Sequence, residues 1–302
     1  MQWGQIKTLF ILCFLILDIY LLIQFLDKRE QADLGILEQQ ETSIEEQLED
    51  DDIKVGSLPD EEYEETFLSV RPKVFTEVEY EGLLALEGQE SIMIHKNFIL
   101  SQFEEPIEIP EHATKENLEG MINQRILFPE GYTFWDWNKR TNVLIFFQKE
   151  GDRPIYFNQN GLILVYLNEN NEALFYTQTM LGEAESRAEK QTLIKPIKAI
   201  ETLYDNNELH SGDEITEVNI GFHTRIPLDS GVQVFAPTWK IRVNDETNYF
   251  VNAMEGFVFS SDENTFLKDA LDMSLDYIET LDDDIEEKAF IENHMNEKLE
   301  LL

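Results

Sequence analysis

The sequence predicts an α+β protein in which two similar β-α-β-β-β-β units follow a single N-terminal transmembrane helix. An apolar run opens the chain, and short strand-like runs alternate with two helical stretches over residues 67–261. The order of these elements returns after about 95 residues, which indicates a duplicated unit. The predicted segments are 1–26 (cytoplasmic stub and transmembrane helix), 27–66 (acidic linker), 67–170 (first unit), 171–261 (second unit) and 262–302 (acidic C-terminal tail).

The apolar run from Ile6 to Leu26 would span about 31 Å as a helix, which matches the hydrocarbon core of a bilayer. A cleaved signal peptide is the alternative, but no small-residue cleavage site follows the run. The positive-inside rule does not settle the orientation. Because the apolar segment comes first, as in a signal anchor, we expect a cytoplasmic N-terminus and an extracytoplasmic bulk.

Asp18 is the unusual residue of this run because it lies past the midpoint. An ionisable group at that depth is costly and usually pairs with a polar group in a helix bundle. We therefore expect Asp18, together with Phe14, Leu15 and Leu22, to contact other membrane helices. The alternative is that Asp18 is protonated or drawn toward the outer interface.

Acidic residues dominate the composition. The 302 residues include 61 acids and 23 bases, which give a net charge of −38 and argue against binding to phosphate backbones. Residues 27–66 carry 16 acids and 3 bases and predict a solvated linker or a mobile helix. Residues 262–302 carry 14 acids and 3 bases and predict an amphipathic helix that frays into a tail.

The first unit begins with a strand at Ser91–Leu100 and a helix at Thr114–Arg125, for which Thr114 is the expected N-cap. The strands that follow are Tyr132–Trp137, Val143–Gln148, Ile155–Asn158 and Leu162–Leu167. Asn160-Gly161 is the dipeptide that two-residue hairpins favour, so a tight turn is expected there.

The second unit begins with a strand at Ala173–Met180 and a helix at Glu183–Tyr204, which Pro196 should kink or break at Lys195. The strands that follow are Glu214–Phe222, Val232–Val243, Tyr249–Asn252 and Phe257–Ser260. Trp239, on the strand after Pro237, is expected to be buried. The motifs YFNQNG (156–161) and FVNAMEG (250–256) share two strand residues, an Asn and a turn Gly, which adds to the case for duplication.

Catalytic and metal-binding patterns do not occur in the sequence. The five histidines lack HExxH spacing, and the GxSxG, Walker and GxGxxG motifs are missing, so we expect neither an enzyme nor a cofactor. The single cysteine, Cys13, permits neither a disulfide framework nor a cysteine zinc site. Asp205–Glu214 departs from the calcium-loop template at its fifth and sixth positions and predicts a turn. The aromatic cluster 134–137 is expected to divide between core and sheet surface rather than to form a ligand platform.

Several short stretches of the sequence form a pattern shared with a known family. At the N-terminus they are Trp3, Lys7-Thr8, Phe10-Ile11, Phe14-Leu15, Leu17-Asp18-Ile19 and Leu21-Leu22. Further along they are YTQTML (176–181), Ala199-Ile200, Leu203, Pro237-Thr238-Trp239 and YFVNAMEG (249–256). Together these stretches resemble the YycI (WalI) family of Gram-positive bacteria, whereas the acidic linker and the tail after about Ser261 look less familiar.

The resemblance implies a non-enzymatic membrane protein with one helix in the cell membrane and an extracytoplasmic domain similar to parts of YycH. Such proteins act with YycH on the sensor histidine kinase WalK of the WalK–WalR two-component system, partly through membrane helices, and so adjust cell-wall homeostasis. The expected partners are thus a YycH-like protein and a WalK-like kinase. The last strand pair also resembles a PepSY module, and the alternative function is an extracytoplasmic ligand-binding or peptidase-inhibitory module.

Overall fold

The computed structural model describes residues 7, 11–15, 17–22, 43–59, 62–227, 231–259, 262–282 and 288–302. The chain divides into two compact units, Met1–Asp50 and Asp51–Leu302. In the first unit, the described residues of the predicted membrane span are helical, and a short helix, α1, covers Ile44–Asp50.

The second unit is a mixed α and β structure dominated by strands. Its helices are α2 (Glu77–Leu84), α3 (Lys115–Ile122), α4 (Pro196–Asp205), α5 (Glu263–Glu279) and α6 (Lys288–Glu300), with a 3-10 turn at Pro129–Gly131. Its strands are β1 (Lys54–Val55), β2 (Glu64–Glu65), β3 (Leu68–Val70), β4 (Gln89–Ile94), β5 (Phe98–Glu108), β6 (Tyr132–Asn138), β7 (Val143–Glu150), β8 (Arg153–Tyr156), β9 (Leu162–Leu167), β10 (Glu172–Thr179), β11 (Glu185–Ser186), β12 (Gln191–Thr192), β13 (Glu214–Pro227), β14 (Gln233–Val243), β15 (Thr247–Asn252) and β16 (Val258–Phe259).

Six of these strands form an antiparallel group in the order β6-β7-β9-β10-β5-β4. A second group is centred on β13 and β14, which β3, β11, β15, β16 and β1 extend. The short strand β8 connects the groups, because it pairs antiparallel with β7 and parallel with β13. Strands β2 and β12 form a separate pair.

The central strands of the first group are apolar at nearly every position because both of their faces are covered. On β7, Val143, Ile145 and Phe147 pack into one cluster with α5 and α6. Leu144 and Phe146 point to the opposite face and join a cluster with α2 and α3. The first group is therefore the middle layer between two pairs of helices.

The C-terminal segment differs from the predicted fraying tail. Helices α5 and α6 contribute buried side chains to the core, among them Leu271 on α5 and Met295 on α6. The Lys298 ammonium donates a hydrogen bond of 2.8 Å to the carbonyl oxygen of Leu167, which fixes α6 against the end of β9. None of the acidic side chains described in α5 and α6 is fully buried.

The linker prediction also does not hold throughout residues 27–66. The described residues 43–59 and 62–66 include α1, β1, which pairs with β13, and β2, which pairs with β12. Residues 27–42, 60 and 61 lie outside the described residues.

The predicted helix Glu183–Tyr204 is wrong before Lys195. Residues 183–195 are extended in two places, where β11 pairs with β3 and β12 pairs with β2. The predicted break at Lys195 is confirmed, since α4 begins at Pro196 with Lys195 as its N-cap residue. Thr114 is likewise the N-cap of α3, as predicted.

The predicted strand Ser91–Leu100 is a hairpin instead. Strand β4 ends at Ile94, and the turn residues His95 and Lys96 both have positive φ, at 48° and 61°. Asn160-Gly161 does lie in a turn, in which the Asn158 side chain accepts a hydrogen bond from the N–H of Asn160. That turn joins β8 to β9, which pair with β7 and not with each other.

The two motifs singled out for the internal repeat behave alike locally. The side chain of Asn158 accepts the N–H of Asn160 at 2.9 Å, and that of Asn252 accepts the N–H of Met254 at 2.8 Å. The last strand of the first predicted unit, β9, pairs with the first strand of the second, β10. The repeat of whole units stays a prediction.

Candidate functional site

The residues predicted to contact other membrane helices lie in the N-terminal helical segment. Among its described residues, 11–15 and 17–22, the side chains of Phe14, Leu15 and Leu22 are 55–59% exposed, and Asp18 is exposed as well. Helical periodicity places these four side chains on one face. The rest of the span from Ile6 to Leu26, apart from Lys7, lies outside the described residues.

Exposure in this segment is not restricted to the Asp18 face. The other large apolar side chains described there are also about half exposed or more: Ile11, Leu12, Leu17, Ile19, Tyr20 and Leu21. Within the described part of the chain, no helix is both long enough and apolar enough to cross a membrane. The segment thus presents apolar side chains around its circumference with a single acidic group among its helical residues 11–15 and 17–22.

A second candidate site lies along one edge of β13 and was not predicted from the sequence. On this edge β1 pairs with residues 214–215 and β8 pairs with residues 222–223. Between them, Glu217–Ile220 has no strand partner among the described residues, although its other edge pairs with β14. A cavity of about 430 Å³ adjoins this free edge, and we call it the β13 groove.

Two glycines allow the close backbone contacts that bound the free edge. A Cβ at Gly56 would lie 2.9 Å from the Ile215 carbonyl oxygen, and one at Gly221 would lie 2.6 Å from the Pro154 carbonyl oxygen. Both distances are too short for any larger residue without backbone movement. Only glycine therefore lets β1 and β8 approach β13 on either side of the groove.

A buried lysine forms part of the groove wall. Lys240 on β14 places its Nζ 2.7 Å from the Glu217 Oε2 and 5.4 Å from the centroid of the Trp135 ring. Burial lowers the pKa of Lys240 from its ordinary value, and the Glu217 carboxylate offsets part of that shift. Burial would raise the pKa of Glu217, but the hydrogen bond and charge of Lys240 outweigh it and lower that pKa.

The opposite side of the groove carries an arginine bound by an acidic strand. Arg153 on β8 forms an ion pair with Glu65 on β2, and its guanidinium lies 5.6 Å from the centroid of the Tyr63 ring. Tyr63 in turn contacts the buried Trp239 edge to face at 5.5 Å. The acidic segment around β2 is therefore held in place by a cation of the groove.

Sequence reasoning identified Trp135 but not the groove. The aromatic cluster divides as expected: Trp137 is buried, Trp135 packs with the α5 side of the core and Asp136 is exposed. Trp239 is also buried, as expected. The sequence offered one signal for the groove, which was Lys240 inside the predicted strand Val232–Val243. Its partner Glu217 could not be identified from the sequence, because only the pairing of β13 with β14 brings the two side chains together.

The predicted turn at 205–214 is present as residues 206–213, between α4 and β13, and in it the side chain of Asp213 accepts a hydrogen bond from the N–H of His210. Among the described residues no group of three or more His, Cys, Asp or Glu side chains could hold a metal ion.

Solved structures similar to this chain include two of low sequence identity. One is an uncharacterized protein from Eubacterium rectale, with a TM-score of 0.42, 9% identity, and coverage of 70% of this chain and 92% of that one. The other is YycH from Bacillus subtilis, with a TM-score of 0.36, 14% identity, and coverage of 66% of this chain and 54% of that one. No curated protein sequence matches the chain.

The model of the YycI protein family matches residues 31–254. The match begins after the N-terminal helical segment and ends before α5, so it rests on the intervening strands and helices. Because it extends over more than half of the sequence, the chain belongs to the YycI family.

Proposed function

We propose that this protein is a membrane-anchored extracytoplasmic regulator of a WalK-like sensor histidine kinase, and that it acts with a YycH-like partner to control cell-wall homeostasis. Membership of the YycI family supports a regulatory role in the WalK two-component system. In physical terms, the regulator makes better contacts with one kinase conformation than with another and so shifts the balance between them. The protein acts by binding, without a catalytic step.

The main support for membrane anchoring is the exposure of apolar side chains in the N-terminal helical segment. A helix that is apolar around its whole circumference is stable when it is surrounded by lipid or by a protein core. Its described apolar side chains are about half exposed or more, which suits lipid contact. The proposed anchor is the full run from Ile6 to Leu26.

Asp18 gives this anchor a means of recognising other membrane helices. A carboxyl group in the apolar part of a bilayer is costly unless it finds a hydrogen-bond partner. Phe14, Leu15 and Leu22 surround it on the same helical face and can pack against the neighbouring helix. In the proposed assembly, a polar group on a helix of the YycH-like protein or of the kinase meets Asp18.

The test is quantitative co-purification of both partners with the full-length chain, at equal membrane abundance. Asp18→Leu removes the carboxyl group but eases insertion, so loss of the assembly cannot be ascribed to poor anchoring. We expect partner recovery to fall roughly three- to thirtyfold, which corresponds to about 0.6–2 kcal/mol for a membrane hydrogen bond. Asp18→Asn is the matched variant, since it keeps hydrogen-bonding capacity, and it should retain most of the recovery.

Equal recovery of the partners with wild type and Asp18→Leu would contradict the helix contact. Recovery of neither partner with the wild-type chain would contradict the proposed function itself.

A further inference from the structure

The free edge of β13 is the feature that the proposed function does not use. Glu217–Ile220 extends over about 13 Å, enough for three or four residues of an added strand. In a strand, alternate residues direct their N–H and C=O groups to each edge. On the groove side of Glu217–Ile220 these groups have no strand partner among the described residues. Such an edge can pair with an extended peptide.

The side chains around the groove select the charge of that peptide. Four cationic residues line the groove, namely Lys115, Lys149, Arg153 and Lys240, against two acids, Asp152 and Glu217. In a chain with 61 acids and 23 bases, a lining with more cations than acids runs against the composition, although Glu65 and Glu119 pair with two of these cations from outside the lining. It attracts acidic groups and disfavours basic ones.

One contact already present shows what these cations can bind. Arg153 pairs with Glu65, which belongs to an extended acidic stretch, Glu64–Glu65. Lys240 is occupied by Glu217. Lys115 forms a longer ion pair with Glu119, at 3.9 Å, and its side chain is about half exposed. Lys149 and Lys115 are therefore the cations best placed to meet an incoming acidic segment.

We propose that the β13 groove is a peptide-binding site, in which an extended acidic segment of a partner protein adds to the sheet as a short strand alongside Glu217–Ile220. Main-chain hydrogen bonds to β13 align the peptide with Glu217–Ile220. Acidic side chains of the peptide lie near Lys115 and Lys149, and Trp135 supplies an apolar wall of the same groove.

The test uses the full-length protein in detergent and a blocked seven-residue peptide of alternating Glu and Val. Hydrogen exchange should show slower exchange of backbone amides within residues 217–220 when the peptide is bound, because pairing protects them. A peptide with Lys in place of Glu should not protect them. A peptide N-methylated at its Val residues should bind less tightly, because it has lost main-chain donors.

A matched pair of variants tests the role of charge. Lys149→Glu should weaken binding of the acidic peptide about tenfold, since a favourable pair becomes a repulsive one. Lys96→Glu makes the same change at an exposed turn outside the groove and should leave affinity within about twofold of wild type.

Any of three results would overturn the proposal. They are no protection of residues 217–220 at about 1 mM acidic peptide, equal protection by the Lys peptide, and protection confined to edge strands away from the groove, such as β4 or β6. The Asp18 experiment is independent of this test, because it measures contacts between membrane helices and does not depend on the free edge of β13.

Discussion

His223 is a buried side chain through which we expect the stability of the fold to depend on pH. The residue is 9% exposed, and its ring stacks on that of Phe259 with the ring centroids 4.3 Å apart. Nδ1 contacts the Thr224 carbonyl oxygen at 3.1 Å, and Nε2 has no hydrogen-bond partner among the described residues. Burial lowers the pKa of His223, and the bond to Thr224 offsets this only in part.

A lowered pKa means that the folded state binds fewer protons than the unfolded state at mildly acidic pH. The stability contributed by neutral His223 is therefore complete above about pH 6.5 and is lost as the pH falls below it. Between pH 7.5 and 5.5 this residue should cost at most about 1.4 kcal/mol of unfolding free energy. In His223→Phe, which keeps an aromatic ring, that part of the pH dependence should disappear.

The measurement is urea unfolding at both pH values, with His112→Phe as the control because His112 is exposed. The control should lose as much stability as wild type on acidification. A pH dependence unchanged in His223→Phe would show that its imidazole does not titrate differently on folding.

At this scale, sequence patterns predicted residues whose role is local. Thr114 caps α3 through a contact with the Asn117 N–H, three residues away, so composition alone revealed it. The pair of Lys240 and Glu217 joins two strands, and no local pattern specifies their register. The turn at His95 and Lys96 was not predicted for another reason. Both residues have positive φ, and two-residue hairpin turns of this kind favour Asn-Gly, so that other residues adopt the conformation only at a cost in free energy.

Among the elements, α5 shows most clearly that an acidic segment, predicted to fray into a tail, can form an ordered helix. Its apolar residues recur on one helical face and are buried, including Leu267, Leu271 and Ile278. Tyr277 stacks on Phe98 of β5 at 4.5 Å, and its hydroxyl accepts a hydrogen bond from the Asn97 side chain. The helix therefore forms part of the core.

We expect Leu271→Ala to lower the unfolding free energy by about 2–5 kcal/mol, because it leaves a cavity beneath a fully buried side chain. Asp276→Ala, on the exposed face of the same helix, should change it by less than about 0.5 kcal/mol. Urea unfolding of both variants at pH 7.5 distinguishes them. Equal and small effects would mean that α5 is a dispensable tail.

Two elements illustrate what the sequence could and could not establish. The continuous apolar runs of β7 and β9 are typical of strands that are buried on both faces, a signal that was not used in the sequence-based predictions and that would have required a second covering layer such as the C-terminal helices. Residues 183–195 have a helix-forming composition, yet β11 and β12 pair with strands more than a hundred residues earlier. In residues 183–195, pairing with distant strands therefore outweighed the intrinsic helix propensity of the segment.

At the scale of the whole molecule, the proposed topology places the unit Asp51–Leu302 outside the cell. Protease added to intact protoplasts should digest the chain beyond about residue 30, since the acidic residues 27–42 offer few apolar side chains to bury. The measurement is immunoblotting of both ends of the chain, with a cytoplasmic protein as the control for intact protoplasts. Complete protection, or release of a soluble protein without protease, would contradict the anchor.

The connection of β1 and β3 to distant strands also fixes the order in which the protein can acquire its structure. Strands β4 to β10 come from one continuous stretch of sequence and can pair as soon as residue 179 has been synthesised. β1 and β3 must wait for β13 and β14, whose paired residues lie about 160 positions later. Until then β1 has no partner strand and β3 can pair only with the two residues of β11, which makes this interval the period of greatest exposure to aggregation and to proteolysis.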